Sequence, residues 1–358
     1  MAKHFYKVKI KKIIRETQDC VSIEFDIKDD LWSDFQFKQG QSISIKSDQD
    51  GGHRSYSICS SPLEKKLVVA VKRIPNGVFS TYALERLKDG DVLEIMQPGG
   101  KFYSEVNPAN KKRYIFFAAG SGITPIISIM KTVLATEKES KVQLLYGSKN
   151  VQSIIFREEL EGLKNKYPDR VNITYVLSRE QTDSPINTGR VDVEKLQRLK
   201  PLLDYPSADE FFICGPEQMI FSINEYLKNL GIEQNKIHFE LFTTPGDSAI
   251  KKAEAGAENG NGATKEGSQV TITVDGNTYE VNVPFKKVTI LDAGLDQGIN
   301  LPYSCKGGVC TTCRAKLLEG KVEMDCNYGL EDYEVEQGYI LTCQSHPRTE
   351  KVKVDYDQ

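Results

Sequence analysis

Residues 305–313 read CKGGVCTTC, and they set the structure expected for the last quarter of the chain. Three cysteines lie in this stretch at a C-x₄-C-x₂-C spacing, and a fourth follows at a distance. That arrangement is typical of a 2Fe–2S cluster. The candidate metal ligands are Cys305, Cys310, Cys313 and Cys343.

The residues between these cysteines favour a cluster over a zinc ion. Three thiolates must converge from one loop while backbone N–H groups point at the bridging sulfides, which requires small residues. Gly307 and Gly308 allow that close approach. Structural zinc is the alternative, but zinc usually takes its ligands as two short Cys or His pairs. Cys326 lies outside the spacing, and we expect it to be a buried hydrophobic residue.

Length, composition and charge indicate a multidomain globular protein. The chain has 358 residues, 39% of them hydrophobic and 27% charged, which suits two or three water-soluble domains. A net charge of −3 provides no basic surface for nucleic acid or an anionic membrane. No apolar run approaches the roughly 20 residues of a membrane span, and the N-terminus lacks a signal peptide's apolar stretch. We therefore expect a cytoplasmic protein, with its oligomeric state left open.

Composition divides the chain into four segments. Residues 1–108 contain short alternating runs separated by Gly, Asp and Pro, which predicts a small antiparallel β-barrel. Residues 109–243 alternate strand-like and helix-like runs, which predicts an α/β domain with a doubly wound parallel sheet. Residues 244–268 contain no aromatic residue and predict a flexible linker, with a random-coil span of roughly 25–30 Å. Residues 269–358 form the predicted cluster domain and begin with a hairpin around Asp275-Gly276-Asn277.

Specific elements are predicted for the α/β domain. The predicted strands are 114–118, 142–146, 173–177, 210–214 and 238–242, and the predicted helices are 125–135, 156–166 and 217–230.

The C-terminal segment resembles a plant-type ferredoxin domain, a β-grasp-like α+β fold. The resemblance extends through residues 270–358, including Glu319-Gly320 and the run GYILTC at 338–343. This segment carries 9 Lys or Arg and 14 Asp or Glu residues, a net charge of −5, which leaves +2 for the rest. Its acidic run at 331–336 is either a solvated face or a surface that docks an electron-transfer partner.

A second motif, HRSYSICS at residues 53–60, matches the R-x-Y-S pattern of the ferredoxin–NADP reductase family. An Arg can bind the flavin phosphates, a Tyr can lie against the flavin, and a Ser can hydrogen-bond its reactive edge. The resemblance assigns flavin binding to Arg54, Ser55, Tyr56 and Ser57. An ordinary surface strand is the alternative.

A glycine turn at residue 77 precedes a predicted helix, and a helix N-terminus offers backbone donors to a pyrophosphate. The resemblance implies that this segment binds the pyrophosphate of FAD, while FMN remains an alternative, as does a simple capped helix. The flavin-binding residues implied here are Val71, Gly77, Val78, Phe79 and Ser80.

The run AGSGITP at residues 119–125 joins a predicted strand to a predicted helix, and the family binds a nicotinamide dinucleotide at this loop. The residues implied are Gly120, Ser121, Gly122 and Thr124. Ser178 and Arg179 follow the third predicted strand, where an Arg favours the 2′-phosphate of NADPH, with NADH as the alternative.

Three positions complete the family's pattern near the end of this domain. Cys214 ends a predicted strand and is followed by Gly215 and Pro216, and together they form one position, where the family's nicotinamide reaches the flavin. The other two positions are Glu240 and Phe242, of which Phe242 corresponds to an aromatic that covers the flavin. Ser57, Cys214 and Glu240 are the implied catalytic residues. A buried Cys or Phe in a core is the alternative.

The domain order and the stretches 54–59 and 327–335 are most similar to reductase components of phenylacetyl-CoA epoxidase systems. The resemblance implies an NAD(P)H-dependent oxidoreductase that passes electrons through FAD and a 2Fe–2S cluster to an oxygenase. One alternative is a reductase of another hydroxylase or desaturase. Another is a redox-sensing flavin and cluster module without turnover, which the intact nucleotide loop disfavours.

Overall fold

The computed structural model describes residues 5–47, 49, 52–242, 267–285, 288–299, 301–303, 306–308 and 311–358. They form two compact units, Phe5–Phe242 and a C-terminal unit described from Gly267 onwards. The predicted linker therefore lies mostly outside the described residues, although a strand begins at Gly267, inside its predicted range. Within the described ranges, no helix is long and apolar enough to cross a bilayer.

The first half of the larger unit is the expected antiparallel barrel. Its elements are β1 (Phe5–Thr17), β2 (Cys20–Asp26), β3 (Ser42–Lys46), β4 (His53–Ser57), β5 (Leu67–Lys72), α1 (Val78–Glu85) and β6 (Val92–Met96). The strand order is β4-β3-β6-β1-β2-β5. An antiparallel bridge between Ile58 and Val69 joins the two edges of the sheet and closes it. Alternating residues such as Val8, Ile10 and Ile23 fill the interior.

The second half is the expected parallel sheet with helices. Its elements are β7 (Arg113–Ala119), α2 (Ile123–Thr136), β8 (Lys141–Ser148), α3 (Arg157–Lys166), β9 (Val171–Leu177), α4 (Val193–Leu203), β10 (Glu210–Gly215), α5 (Glu217–Asn229) and β11 (Ile237–Leu241). The order β11-β10-β7-β8-β9 reverses direction between β7 and β10. A crevice for ligands opens at such a switch point, outside the carboxyl ends of the strands.

The C-terminal unit contains a mixed sheet of order β13-β12-β18-β14-β16 and a separate pair, β15-β17. Its elements are β12 (Gly267–Val274), β13 (Asn277–Pro284), α6 (Ile290–Asp296), β14 (Arg314–Glu319), β15 (Val322–Met324), α7 (Asp332–Glu336), β16 (Tyr339–Leu341), β17 (Ser345–Pro347) and β18 (Lys351–Asp355). The predicted hairpin is confirmed, with positive φ at Asp275 and Gly276 as a two-residue type I′ turn requires.

Candidate functional site

The R-x-Y-S motif lies on strand β4 of the barrel. Side chains alternate along a strand, so Arg54 and Tyr56 share one face while Ser55 and Ser57 share the other. The Tyr56 ring lies 5.6 Å from the ring of Phe79, measured between centroids. Because Phe79 belongs to α1, this contact brings the motif strand to the predicted pyrophosphate helix.

The chain turns tightly at the start of α1, where Gly77 packs against Ser80. Gly77 is the N-cap of this helix and makes no side-chain capping hydrogen bond. A Cβ at Gly77 would lie 2.4 Å from Ser80 Oγ. That hydroxyl accepts a hydrogen bond from the Ile74 N–H at 3.1 Å, so the Ser80 side chain closes the turn. A flavin pyrophosphate therefore fits against the backbone N–H groups of the first turn rather than against Ser80 Oγ.

The remaining two residues predicted in this region differ in exposure. Val78 is 46% exposed, whereas Val71 is completely buried in the barrel core. Val71 therefore has no exposed side-chain surface for a flavin contact, and any direct contact with FAD would involve Val78 or the backbone.

The nucleotide loop is the single turn Gly120–Gly122 between β7 and α2. The Tyr146 hydroxyl donates to the Gly120 carbonyl at 2.9 Å, and Thr124 Oγ1 donates to the Ser121 carbonyl at 2.9 Å. A Cβ at Gly122 would lie 2.1 Å from the Cys214 carbonyl oxygen. Only glycine fits there, so the loop packs directly on the backbone beside Cys214.

The three predicted catalytic residues are brought together. Cys214 on β10 is paired in register with Glu240 on β11. Ser57 Oγ, from the barrel, donates to Glu240 Oε2 at 3.1 Å. Burial, followed by the neighbouring Glu240 charge, raises the pKa of Cys214 well above its usual value. Cys214 is therefore a neutral thiol in a site that joins the barrel to the parallel sheet.

The residues that flank this site have distinct roles in the fold. A Cβ at Gly215 would lie 2.6 Å from Met219 Cε, so the chain turns tightly into α5. Pro216 is the N-cap of that helix. Phe242 directly follows β11 and is 42% exposed, which leaves its ring accessible to a ligand.

Ser178 and Arg179 lie at the carboxyl end of β9. The backbone N–H of Arg179 donates to the Lys149 carbonyl at 2.8 Å, and Ser178 Oγ donates to the Ser148 carbonyl at 3.2 Å. The side chain of Arg179 is exposed. Because parallel strands end at the same edge of a sheet, Arg179 and the Gly120–Gly122 loop lie along one edge.

Two of the four predicted cluster ligands are described, and they are neighbours. Cys313 and Cys343 are 1% and 4% exposed. The N–H and the hydroxyl of Thr342 donate to the Cys313 carbonyl at 3.2 and 3.0 Å, which fixes Cys313 beside Cys343. Cys305 and Cys310 lie outside the described residues.

Residues 306–308, the described part of the loop between the predicted ligands Cys305 and Cys310, are closely packed at Gly308. Gly308 has φ +73°, and a Cβ there would lie 2.9 Å from Cys326 Sγ. Buried thiols beside a glycine loop are a donor set that fits a 2Fe–2S cluster.

The expectation for Cys326 was wrong. Its side chain is only partly buried, and its Sγ–H donates to Gln344 Oε1 at 3.1 Å. Gln344, which directly follows the predicted ligand Cys343, was not predicted as a site residue. Its position next to a ligand was the only signal in the sequence.

Comparison with known proteins agrees with this architecture. Three domain families match: an oxidoreductase FAD-binding domain over residues 7–103, an oxidoreductase NAD-binding domain over 116–225, and a 2Fe-2S iron-sulfur cluster binding domain over 272–348.

Two curated relatives and one solved structure extend over nearly the whole chain. A component of the 1,2-phenylacetyl-CoA epoxidase of Escherichia coli (strain K12) is 42% identical, with 99% of this chain and 98% of that protein covered. The ferredoxin reductase component of 3-ketosteroid-9-alpha-monooxygenase from Rhodococcus rhodochrous is 33% identical, with coverage of 97% and 95%. The structure of phthalate dioxygenase reductase shares the fold, with a TM-score of 0.60, 22% identity and 98% coverage of both chains.

The three domain models together match most of the chain, and the two relatives and the solved structure cover 97–99% of it. The cofactors are therefore FAD, a pyridine nucleotide and a 2Fe–2S cluster. The chain belongs to the family of ferredoxin–NADP reductase-like, NAD(P)H-dependent electron-transfer oxidoreductases that carry a 2Fe–2S domain in the same polypeptide.

Proposed function

We propose that this protein takes electrons from NADPH and delivers them one at a time to an oxygenase, a phenylacetyl-CoA epoxidase. The hydrogen bond from Ser57 to Glu240 carries the reductase part of the proposal, because it joins the flavin strand to the nicotinamide edge of the parallel sheet. The relative that is 42% identical over 99% of this chain supports the choice of acceptor.

The barrel residues would hold the flavin. When bound, the flavin accepts two electrons from the nicotinamide and releases them singly to the cluster. Arg54 and Tyr56 share one strand face, so the guanidinium can bind phosphate while the phenol ring lies against the flavin. Ser57 can hydrogen-bond the reactive edge of the flavin, and Glu240 orients its hydroxyl. Ser55 and the turn at Gly77–Ser80 complete the site.

The parallel sheet would hold the nicotinamide nucleotide. Gly120, Ser121, Gly122 and Thr124 present the N-terminus of α2 to its phosphates. Cys214 adds no charge where the nicotinamide must approach, because burial keeps it a neutral thiol. Gly215 and Pro216 keep the adjacent turn tight, and the half-exposed Phe242 ring would lie against the flavin.

NADPH is the proposed donor rather than NADH. Arg179 is exposed at the strand end where the adenosine ribose binds in doubly wound nucleotide domains. A guanidinium there pairs with a 2′-phosphate, and Ser178 adds a hydroxyl.

The C-terminal unit would carry the cluster on Cys305, Cys310, Cys313 and Cys343. We further propose the domain boundaries 1–108, 109–243 and 269–358, with 244–268 as a tether. Thiolate ligands need a reducing compartment, which supports a cytoplasmic location.

Reconstitution tests the acceptor. The purified protein is mixed with NADPH and with the oxygenase components of either a phenylacetyl-CoA epoxidase or a 3-ketosteroid-9-alpha-monooxygenase. We expect coupled epoxide formation with the first and little product with the second. Product formation only with the ketosteroid enzyme would overturn the proposed acceptor while leaving the reductase chemistry intact.

A further inference from the structure

The side chain of Gln344 links three groups around the described part of the cluster loop, residues 306–308. Its Nε2 donates to the Lys306 carbonyl at 2.8 Å and to the Cys343 carbonyl at 2.9 Å, and it lies 3.7 Å from Cys343 Sγ. Its Oε1 accepts the Sγ–H of Cys326 at 3.1 Å. The carboxamide orientation is therefore determined by its partners, since only the amide nitrogen can serve two carbonyls.

Cys326 and Tyr328 lie against the next two carbonyls of the loop, those of Gly307 and Gly308. Cys326 Sγ also lies 3.5 Å from the Gly307 carbonyl, and the Tyr328 N–H donates to the Gly308 carbonyl at 2.9 Å. Gln344 and the Tyr328 N–H thus bind the carbonyls of Lys306 and Gly308, and Cys326 Sγ lies against the Gly307 carbonyl between them. Because a peptide unit is planar and trans, the bond to the Lys306 carbonyl also fixes the direction of the Gly307 N–H.

Gln344 is itself rigidly placed. It is 8% exposed, its own N–H donates to the Leu341 carbonyl at 2.9 Å, and its carbonyl accepts from the Asp325 N–H at 2.9 Å. The backbone of Gln344 is therefore held in place. Its carboxamide can in turn hold the Lys306 carbonyl of the loop in a fixed position.

We propose that Gln344, supported by Cys326, is a positioning residue for the 2Fe–2S cluster. It holds the loop between the first two ligands in its cluster-binding form and places an N–H dipole beside the Cys343 sulfur. Hydrogen-bond donors near the ligating sulfurs stabilise the more negative, reduced cluster and raise its reduction potential. The inference rests on the cluster assignment of the proposed function.

The test substitutes Gln344→Met in the full-length holoprotein, which preserves side-chain length and removes both donor and acceptor. An EPR-monitored redox titration should give a more negative cluster potential, by about 59 mV for a tenfold change in the one-electron equilibrium. Cluster release to a chelator should become about tenfold faster. Gln337→Met, at an exposed Gln of the same unit, is the matched control and should behave as the parent.

A second pair keeps the proposal testable should Gln344→Met fail to fold. Cys326→Ser retains a donor to Gln344 Oε1 and should keep a potential close to the parent. Cys326→Ala removes that donor and should shift the potential in the same direction as Gln344→Met, but less. A parent potential and release rate in both Gln344→Met and Cys326→Ala overturns the proposal, as does a shift confined to the melting temperature. A parent protein without any cluster instead contradicts the proposed function.

Discussion

The two units each bury a functionally placed cysteine, but in different surroundings. Cys214, in the larger unit, is completely buried beside the Glu240 carboxylate, and burial raises its pKa so that it stays a thiol. Cys343, in the C-terminal unit, is 4% exposed and lies 3.7 Å from the amide nitrogen of Gln344. A neighbouring carboxylate raises the pKa of a thiol, as it does at Cys214. The two cysteines therefore differ in the polar group beside them, a carboxylate at Cys214 and the Gln344 amide at the predicted ligand Cys343.

The two sites also differ in how the chain assembles them. The larger unit joins Ser57 to Glu240, which are 183 residues apart in sequence. The cluster site takes three of its four predicted ligands from the nine-residue stretch 305–313. Substitutions at the two sites should consequently affect separate steps of electron transfer.

The largest effect is expected for Cys313→Ser, and Cys310→Ser should behave alike. Either change removes a predicted thiolate ligand, so the cluster absorbance should disappear while flavin stays bound. Reduction of ferricyanide by NADPH should survive, whereas reduction of a one-electron protein acceptor should collapse. Cys59→Ser, at a buried cysteine of the larger unit, is the control and should retain the cluster. Full cluster occupancy in both ligand variants would show that the ligand assignment is wrong.

Ser57→Ala should slow flavin reduction by NADPH by roughly 10²-fold, with little change in the KM for NADPH. The substitution removes the hydroxyl that donates to Glu240 and that we propose lies at the reactive edge of the flavin. Anaerobic stopped-flow absorbance gives the rate, and the exposed Ser33→Ala is the matched control. A parent rate in Ser57→Ala would remove Ser57 from the catalytic set.

Arg179→Ala should raise the KM for NADPH roughly 10- to 150-fold, because a charge-assisted hydrogen bond to the 2′-phosphate contributes about 1.5–3 kcal/mol. The KM for NADH should barely change. Steady-state kinetics with both nucleotides checks this, and the exposed Arg198→Ala on α4 is the control. Equal efficiency of the parent with NADPH and NADH would contradict the assignment.

The smallest effect is expected from shortening the predicted tether. Deleting residues 250–262 would reduce its random-coil span from about 28 Å to about 19 Å. Flavin reduction should be unchanged because both of its sites precede residue 243, while turnover coupled to the oxygenase should fall several-fold. Coupled turnover at the parent rate would mean that the segment is a passive spacer.

Much of the fold could be predicted from the sequence because short runs of apolar residues and turn residues indicate the strands and the hairpin. The buried apolar runs of β7, β8 and β10 identified the parallel sheet, and the Asp275-Gly276 turn identified the hairpin. Helix α4 was missed even though Leu196, Leu199 and Leu203 follow helical spacing, because Pro201 interrupts the pattern near its end. The strand predicted at 238–242 is Ile237–Leu241 in the structure, one residue earlier at both ends, so Phe242 lies just beyond it.

A site could be predicted from the sequence when its residues lie close together in the chain. The ligand spacing indicated the cluster, whereas the contact between Ser57 and Glu240 depends on two domains meeting and has no signature in spacing. The family resemblance alone pointed to those two residues. Cys326 was misjudged for the same reason, because its partner Gln344 lies on another segment of the unit.

Electron transfer from NADPH through the flavin to the cluster can be followed by anaerobic rapid mixing of the parent protein with NADPH, with flavin and cluster absorbance recorded together. We expect the flavin to be reduced first and the cluster to follow, and in Cys313→Ser we expect only the flavin to respond. Cluster reduction that precedes flavin reduction, or a flavin that neither NADPH nor NADH reduces, would contradict this path.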